Sequence, residues 1–197
     1  MARRDGLSVS ACTRCPELVE SRSQIVNGVG PVDADLLFVG EAPGEREDDA
    51  GEPFVGRSGE ILDDVLLEHR LDRETVRITN TVRCRPPENR DPRSDERANC
   101  REYLEAEIAT VDPLAIVTLG RVPSENLLER SVSVTNEAGT FDTVTVSGTD
   151  YDVLVCVHPA ASLYDNSQRE TLEDTIATAA GLLDDPGSSG QSRLGDF

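Results

Sequence analysis

Five cysteines are the most reactive side chains of this sequence. Cys12 and Cys15 form a C-x2-C pair, and Cys84 and Cys100 are separated by 15 residues. Four thiols in two groups suit a tetrahedral thiolate site that holds either zinc or an iron–sulfur cluster, and the spacing alone favours neither metal. The alternative is that some of these cysteines are small buried hydrophobic residues. Cys156 lies inside an apolar run, and we interpret it as a core residue.

A second group of chemically suggestive residues follows three predicted strands. Glu41 comes directly after an apolar run that ends at Gly40, Asn80 ends the next predicted strand, and His158 follows the last one. Ligands of an α/β sheet bind beyond the carboxyl ends of the strands, so we expect these three side chains to lie close together. Three polar residues at three strand ends indicate a site more strongly than any one of them alone.

The segment from Gly40 to Gly44 turns sharply off a predicted strand. Its glycines and proline allow backbone N–H groups to approach a ligand, although an ordinary strand-to-loop turn is the alternative. Phe54 stands among Gly, Pro and Arg residues. A phenylalanine in such a loop is either a core anchor or a stacking platform for a base, and the residues alone favour the core anchor.

The elements that must position these residues alternate between strand and helix. The predicted strands are residues 36–39, 76–80, 114–119 and 151–157, and the predicted helices are residues 58–70, 94–110, 123–130 and 172–183. Ser58 is the predicted N-cap of the first of these helices. Segments 132–136 and 141–147 predict a hairpin. The alternation is typical of a three-layer α/β/α sandwich with a mainly parallel central sheet. We expect one domain over residues 1–183 and a flexible acidic tail over residues 184–197.

The chain is strongly acidic, with 38 Asp and Glu residues, 19 cations and a formal net charge of −19. All 19 cations are arginine, because the sequence contains no lysine. This composition predicts a salt-adapted organism, in which a salty cytoplasm screens the repulsion between surface charges. The sequence shows neither a signal peptide nor an apolar run long enough to span a membrane. We therefore expect a cytoplasmic, monomeric protein whose cysteines do not form disulfides.

The cysteines and the loops together carry a resemblance to a known family. In chain order the matching pieces are Cys12-x2-Cys15, Gly40-Glu41-Ala42-Pro43-Gly44 with Glu47-Asp48, Pro53-Phe54-Val55-Gly56-Arg57-x-Gly59, Asn80-x3-Cys84-Arg85-Pro86-Pro87-x-Asn89-Arg90-Asp91-Pro92, Cys100, and His158-Pro159-Ala160-Ala161. This set resembles family 4 uracil-DNA glycosylase, the iron–sulfur type within the uracil-DNA glycosylase superfamily. The resemblance implies a [4Fe–4S] cluster on Cys12, Cys15, Cys84 and Cys100. It also implies a uracil pocket built from Glu41, Ala42, Glu47, Phe54, Asn80 and His158.

The resemblance further implies an enzyme that flips uridine out of single- or double-stranded DNA and hydrolyses its N-glycosidic bond. Phe54 would stack on the extruded base, while the Asn80 amide would accept from uracil N3–H and donate to O4. His158 would donate to the negative charge that develops on O2, and Glu41 would hold and activate the water. A wall at Glu47 or at the backbone near Ala42 would exclude the methyl group of thymine.

One segment of this acidic chain is basic. Residues 83–101 contain six arginines and four acids, which gives a local net charge of +2. We predict that this segment faces DNA phosphates, with random clustering of arginine as the alternative. The arginines predicted to bind DNA are Arg83, Arg85, Arg90 and Arg93. The loop after His158, which includes Leu163 and Tyr164, is a candidate wedge into the duplex.

Two rival functions use the same cysteines. One is a non-catalytic metal-cluster module that binds nucleic acid, and the other is a redox iron–sulfur protein. Neither rival requires Glu41, Asn80 and His158 at the ends of three strands. These three residues therefore favour the enzyme.

Overall fold

The computed structural model describes residues 7–184, which form five β-strands and seven α-helices. The strands are β1 (Leu36–Gly40), β2 (Arg77–Asn80), β3 (Ala115–Leu119), β4 (Phe141–Val146) and β5 (Thr149–Cys156). The helices are α1 (Pro16–Ser21), α2 (Glu45–Ala50), α3 (Arg57–Glu68), α4 (Ser94–Val111), α5 (Arg121–Leu128), α6 (Val134–Glu137) and α7 (Asn166–Asp184). The strands form one sheet in the order β2-β1-β3-β5-β4. All neighbours pair in parallel except β4, which pairs antiparallel with β5 at the edge.

Helices cover both faces of this sheet. Leu36 and Phe38 of β1 pack into a core cluster with residues of α3 and α7. Leu37 and Val39 point to the opposite face and pack with residues of α4 and α5. Because both faces are buried, the strand is a continuous apolar run rather than an alternating one. The prediction of a three-layer α/β/α sandwich with a mainly parallel sheet is confirmed.

The predicted strand at residues 132–136 is wrong. Asn136 donates its backbone N–H to the Ser133 carbonyl, and the Glu137 carboxylate accepts from the Ser133 N–H at 2.7 Å, so this segment closes into α6. The β-branched residues that suggested a strand are overridden by these local hydrogen bonds. Strand β4 instead pairs with β5 through the two-residue turn Ser147–Gly148, where both residues have positive φ, as hairpin geometry favours.

Two smaller expectations also need adjustment. Helix α3 begins at Arg57 with Gly56 as its N-cap, so Ser58 does not cap it. The predicted tail over residues 184–197 lies outside the described residues except for Asp184, which ends α7. The start of the predicted domain, residues 1–6, also lies outside them.

Within residues 7–184, no helix has the length and apolar character needed to cross a membrane.

A buried ionic cluster joins α4 to β2. Glu107 of α4 is fully buried, and its carboxylate binds Arg77 of β2 at 2.7 Å and Arg83 at 2.8 Å. Thr79, also on β2, donates its hydroxyl to the same carboxylate at 2.8 Å. The two arginine side chains are only 6% and 2% exposed, so neither charge has water as an alternative partner. The position of α4 relative to β2 therefore depends on a single carboxylate.

We expect Glu107→Ala to lower the free energy of unfolding by about 3–5 kcal/mol, because it leaves two buried arginines without a counter-charge. Denaturant unfolding at high salt measures this loss. Glu105→Ala on the same helix is the matched control. Its carboxylate is 37% exposed and pairs with Arg101, so it should cost less than about 1 kcal/mol. Equal losses in the two variants would show that the buried cluster is not the main link.

Candidate active site

A pocket of about 180 Å³ opens at the carboxyl ends of β1, β2 and β5. Glu41 follows β1, Asn80 ends β2, and His158 lies two residues beyond β5. The structure brings together all six residues predicted for the uracil pocket and adds Gly44 and Ser58. The lining residues are Glu41, Ala42, Gly44, Glu47, Phe54, Ser58, Asn80 and His158.

Close packing fixes Phe54 in the pocket wall. Phe54 is 5% exposed and has a φ of 55°, so its backbone is held in the left-handed region. A Cβ at Gly40 would lie 2.5 Å from the Phe54 ring and 2.4 Å from Oδ1 of Asn80, and a Cβ at Gly59 would lie 1.7 Å from the Phe54 carbonyl oxygen. Both positions therefore require glycine. Arg73 donates to the carbonyl oxygens of Pro53 and Phe54. Phe54 thus both anchors the core and lines the pocket.

The Glu47 carboxylate joins two loops of the pocket. One carboxylate oxygen accepts from the Gly56 N–H at 2.8 Å, and the other accepts from the Gly44 N–H at 3.1 Å. Glu47 lies on α2, 9 residues before Gly56, so its carboxylate ties the loop at Gly56 to this helix. Although Glu47 belongs to an acidic run that looks like a solvated helix face, it is 9% exposed. Its role in the folded chain is to set the shape of the wall.

The His158 imidazole is neutral at neutral pH and offers its Nε2–H as a hydrogen-bond donor. Its Nδ1 accepts a hydrogen bond from the Ala160 N–H at 3.1 Å, so the ring proton resides on Nε2. Burial lowers the pKa of His158 to about 4, although the nearby Glu47 charge opposes this shift. The ring also stacks against Phe54, with centroids 6.0 Å apart and planes 30° apart. At neutral pH the pocket therefore contains an N–H donor without a positive charge.

Glu41 has the opposite shift. Burial, together with the charge and hydrogen bonding of Asp91, raises the pKa of Glu41 to about 7, while Arg121 and Arg97 oppose the shift. Asp91 in turn pairs with Arg121 at 3.0 Å. A carboxyl group with this pKa changes protonation near neutral pH, which is the property of an effective general base.

Asn80 presents an unused amide to the pocket. The residue is 4% exposed, and its side chain makes no hydrogen bond with any other group of residues 7–184. A side-chain amide carries one acceptor oxygen and two donor hydrogens. Neither amide atom is closed off from solvent, so a ligand that fills the pocket must replace their contact with water by hydrogen bonds. The amide is therefore suited to a ligand that offers a donor and an acceptor side by side.

The four predicted metal-binding cysteines lie on three segments that approach one another: Cys12 and Cys15 before α1, Cys84 in the loop after β2, and Cys100 in α4. Burial raises the pKa of Cys84 and also that of Cys100, and both thiols lie within electrostatic range of Cys15. Cys156 is completely buried in the core, as the sequence predicts. Four donors point at the sulfurs: Arg22 to Cys84 at 2.8 Å, Asn99 to Cys15 at 3.5 Å, the Arg83 N–H to Cys100, and the Tyr103 hydroxyl to Cys12.

The groups around these thiols suit a thiolate-bound metal site. Thiolates ligate both zinc and iron–sulfur clusters. N–H donors to the sulfurs, such as those from Arg22 and Arg83, are typical of iron–sulfur sites. The donor set is therefore compatible with the cluster that the sequence resemblance implies.

Arg83, which the sequence predicts to bind DNA, is buried in the structure. It is 2% exposed and is bound by Glu107, by the Leu7 carbonyl oxygen at 3.0 Å and by Oδ1 of Asn27 at 2.8 Å. A guanidinium that is buried and fully hydrogen-bonded has no surface to offer to a phosphate. The prediction that Arg83 contacts DNA is wrong, because its charge serves the interior of the protein.

The other three predicted DNA-binding arginines lie nearer the surface but already contact acids or amides. Arg90 binds Glu96 at 2.6 Å and Glu17 at 3.3 Å, and Arg93 also pairs with Glu17. Arg85 donates to Asn89 at 2.8 Å and approaches Glu45 at 3.8 Å. Their contact with phosphate stays a prediction, and it would require these pairs to be exchanged.

The candidate wedge is accessible, since Leu163 and Tyr164 are 37% and 88% exposed on the turn after His158.

Sequence reasoning gave no role to Ser58, Arg73 or Asp91. Ser58 was interpreted only as a helix cap, and Arg73 lies in an unremarkable polar segment. Their roles depend on which loops meet in three dimensions, which residue type does not reveal. Asp91 carried one signal, because it lies in the longest of the matched motifs.

The sheet and its pocket define an α/β domain with a polar pocket at the carboxyl ends of parallel strands. Residues 27–179 match the protein-family model described as the uracil DNA glycosylase superfamily. Because the match covers most of the chain, the chain belongs to this superfamily.

Several relatives are named type-4 uracil-DNA glycosylase. The one from Sulfurisphaera tokodaii is 40% identical over 171 residues, which cover 84% of this chain and 77% of the relative. The one from Saccharolobus solfataricus is 41% identical over 171 residues, with 84% and 79% covered. The one from Archaeoglobus fulgidus is 39% identical over 169 residues, with 84% of both chains covered. The similarity thus extends over nearly the whole described fold.

Because the pKa of Glu41 is raised, the stability of the fold should depend on pH. A carboxyl group whose pKa in the folded state exceeds its ordinary value of about 4.3 stabilises the fold at low pH, and this stabilisation is lost as the pH rises through about 7. Glu41→Gln removes the titration. We therefore expect the Tm of wild type relative to Glu41→Gln to fall between about pH 5 and about pH 8.

The control is Glu74→Gln, which removes the same charge from an exposed position. Its Tm difference from wild type should be the same at both pH values. If the Glu41→Gln difference is also independent of pH, Glu41 does not titrate in the pocket.

Proposed function

We propose that the protein is a uracil-DNA glycosylase that flips uridine out of DNA and hydrolyses the bond between the base and the sugar. The observation that carries the proposal is the composition of the 180 Å³ pocket, where an aromatic ring, a free amide and a neutral N–H donor converge. The names of the relatives agree with this activity. Release of uracil would be the first step of excision repair of deaminated DNA.

Recognition of uracil follows from the Asn80 amide. A base inside a duplex is inaccessible, so the nucleotide must rotate out of the stack before the pocket can bind it. Phe54 offers a ring face for stacking. The Asn80 oxygen accepts from uracil N3–H, and its NH2 donates to O4. Cytosine presents the reverse pattern, so each mismatched buried group costs roughly 1–3 kcal/mol. The wall held by Glu47 would exclude the thymine methyl group.

Bond cleavage depends on charge that develops in the transition state. As the C1′–N1 bond breaks, its electron pair moves into the base, and negative charge grows on O2. The Nε2–H of His158 donates to this oxygen, and as a neutral donor it needs no proton from solvent. Glu41 holds the water that adds to C1′ and accepts its proton, a role that requires the ionised form present above pH 7.

We also propose that Cys12, Cys15, Cys84 and Cys100 hold a [4Fe–4S] cluster. When bound, the cluster supplies iron–thiolate bonds that tie the N-terminal segment to the segment containing Cys84 and to α4. The reaction needs no electron transfer, so this role is structural. A redox protein would need the cluster but not the pocket, and a binding module would need neither Glu41 nor a neutral His158.

The acidic composition supports a salt-adapted setting for this enzyme. With a formal net charge of −19, the fold repels itself at low ionic strength, and salt screens the repulsion. Salt also weakens contacts between arginine and phosphate. We propose a cytoplasmic monomer that acts on single- or double-stranded DNA in high salt and uses few phosphate contacts.

Incubation with a single-stranded oligonucleotide containing one uracil, followed by alkali, tests the activity and the role of Asn80. Wild type should leave a strand break at uracil and none at cytosine or thymine. Asn80→Asp should excise uracil more slowly and gain some excision of cytosine, because a carboxylate accepts from the cytosine amino group but cannot donate to O4.

Asn136→Asp, which adds the same charge at a helix away from the pocket, is the matched control and should behave as wild type. A wild-type protein that never breaks the strand would refute the proposed activity. An unchanged rate in Asn80→Asp would remove Asn80 from base recognition.

Anaerobically prepared protein should be brown and contain about four irons per chain. Cys100→Ala should lose iron and fold stability together, because α4 then loses its link to the N-terminal segment. Cys156→Ala is the matched control and should keep its iron, since Cys156 lies in the core. Stoichiometric zinc in a colourless, fully active protein would contradict the iron–sulfur assignment.

A further inference from the structure

Three arginines among residues 7–184 make neither an ion pair nor a side-chain hydrogen bond. Within residues 7–184, the side chains of Arg57, Arg70 and Arg97 make no ion pair and no hydrogen bond, whereas every other arginine side chain of these residues has at least one such partner. Acids outnumber arginines two to one in the sequence, so partners are plentiful. An arginine without an acid is therefore a cation that is available for an external anion.

Arg57 lies at one side of the pocket mouth. Its two chain neighbours are both part of the site: the Gly56 N–H binds the Glu47 carboxylate, and Ser58 lines the pocket. The Arg57 side chain is exposed. Arg46 lies close by and has only a loose contact of 3.8 Å with the exposed Glu60. This rim is the one that carries Phe54, on which the base would stack.

Arg97 lies within electrostatic range of Glu41, which lines the pocket. It lines a cleft of about 550 Å³ between α4 and α5, together with Glu125 of α5. Glu125 binds Arg121 at 3.1 Å, and Arg121 binds Asp91, the acidic neighbour of Glu41. This chain of contacts connects the cleft to the pocket mouth.

The other two arginines of that cleft are already neutralised. Arg101 pairs with Glu105 and Glu129, and Arg130 pairs with Glu137 and Asp142. Arg97 alone among the cleft-lining arginines makes no such pair. It is therefore the cation of this cleft that can accept an anion without breaking an existing ion pair.

We propose that Arg57 and Arg97 bind the backbone phosphates on the two sides of the flipped nucleotide, so that the DNA strand crosses the pocket mouth between them. The proposal rests on the proposed function and names the DNA contacts of the same site. A guanidinium matches a phosphate in charge and in the geometry of its donors. Phosphate contacts fix the register of a strand, which extrusion of one nucleotide requires.

The proposal also explains how so acidic a protein binds DNA. Two contacts at the pocket release few counterions, so binding depends only weakly on salt. The arginines of residues 83–93, in contrast, would have to give up Glu17, Glu96, Asn89 or the interior of the protein before they could contact a phosphate. The DNA-facing cations are therefore those that the fold leaves unpaired rather than those that cluster in sequence.

Fluorescence anisotropy with a labelled duplex tests the proposal. The duplex carries one 2′-fluoro-2′-deoxyuridine, whose fluorine destabilises the oxocarbenium-like transition state and slows cleavage. Affinity is measured over a range of salt concentrations at which circular dichroism shows the protein to be folded. Arg57→Gln and Arg97→Gln should each reduce the slope of log affinity against log salt by about 0.9, and the double variant by about 1.8.

Arg70→Gln is the matched control. Arg70 likewise makes no ion pair and, like Arg57, is exposed, but it lies just beyond the C-terminal end of α3, away from the pocket. Its slope should equal that of wild type. Unchanged slopes for both Arg57→Gln and Arg97→Gln, or an equal reduction for Arg70→Gln, would overturn the proposal.

The uracil excision assay separates this result from a failure of the proposed function. Wild type that excises uracil while the Arg57 and Arg97 variants keep the full slope would refute only the phosphate contacts. Wild type that binds the duplex but never releases uracil would refute the proposed activity. Reduced slopes in that case would still support the phosphate contacts at these two arginines.

Discussion

The buried carboxylate of Glu107 determines how the functional parts of this fold are arranged. It binds two side chains of β2 and also Arg83, so it holds α4 against the strand that ends in Asn80. The same helix carries Cys100 and Arg97, and the N–H of Arg83 contacts Cys100. One desolvated charge therefore couples the pocket, the thiols and the proposed phosphate contact. Buried ion pairs of this kind are costly to break, which makes the arrangement rigid.

Burial of the pocket has opposite effects on its two titratable groups. Loss of water disfavours whichever form is charged, so it lowers the pKa of His158 and raises that of Glu41. The result is a neutral donor on one side of the pocket and, near pH 7, a carboxyl group poised to accept a proton on the other. Both properties suit cleavage of an N-glycosidic bond. The same desolvation makes the free Asn80 amide selective, because a mismatched base leaves it unpaired.

Much of this arrangement is visible in the sequence, and the part that is not visible has a common cause. Apolar runs mark β1, β3 and β5, an alternating segment marks β2, and polar residues at strand ends mark Glu41, Asn80 and His158. Buried charged residues carry no such mark, because Glu107 and Arg83 look like surface residues and are buried only through partners distant in the chain. The interpretation of residues 83–101 as a DNA-facing segment was wrong for Arg83 for this reason. Local charge balance cannot show which arginines the folded chain leaves unpaired.

The most direct test of the account is a crystal structure of the protein soaked with uracil. Uracil should lie in the pocket on the Phe54 ring, with the Asn80 amide about 2.7–3.2 Å from N3 and O4 and with Nε2 of His158 at a similar distance from O2. Uracil bound in the reverse orientation, with its O4 toward His158, would refute these roles of Asn80 and His158. So would uracil that occupies only the cleft beside α4 and leaves the Asn80 amide without a partner.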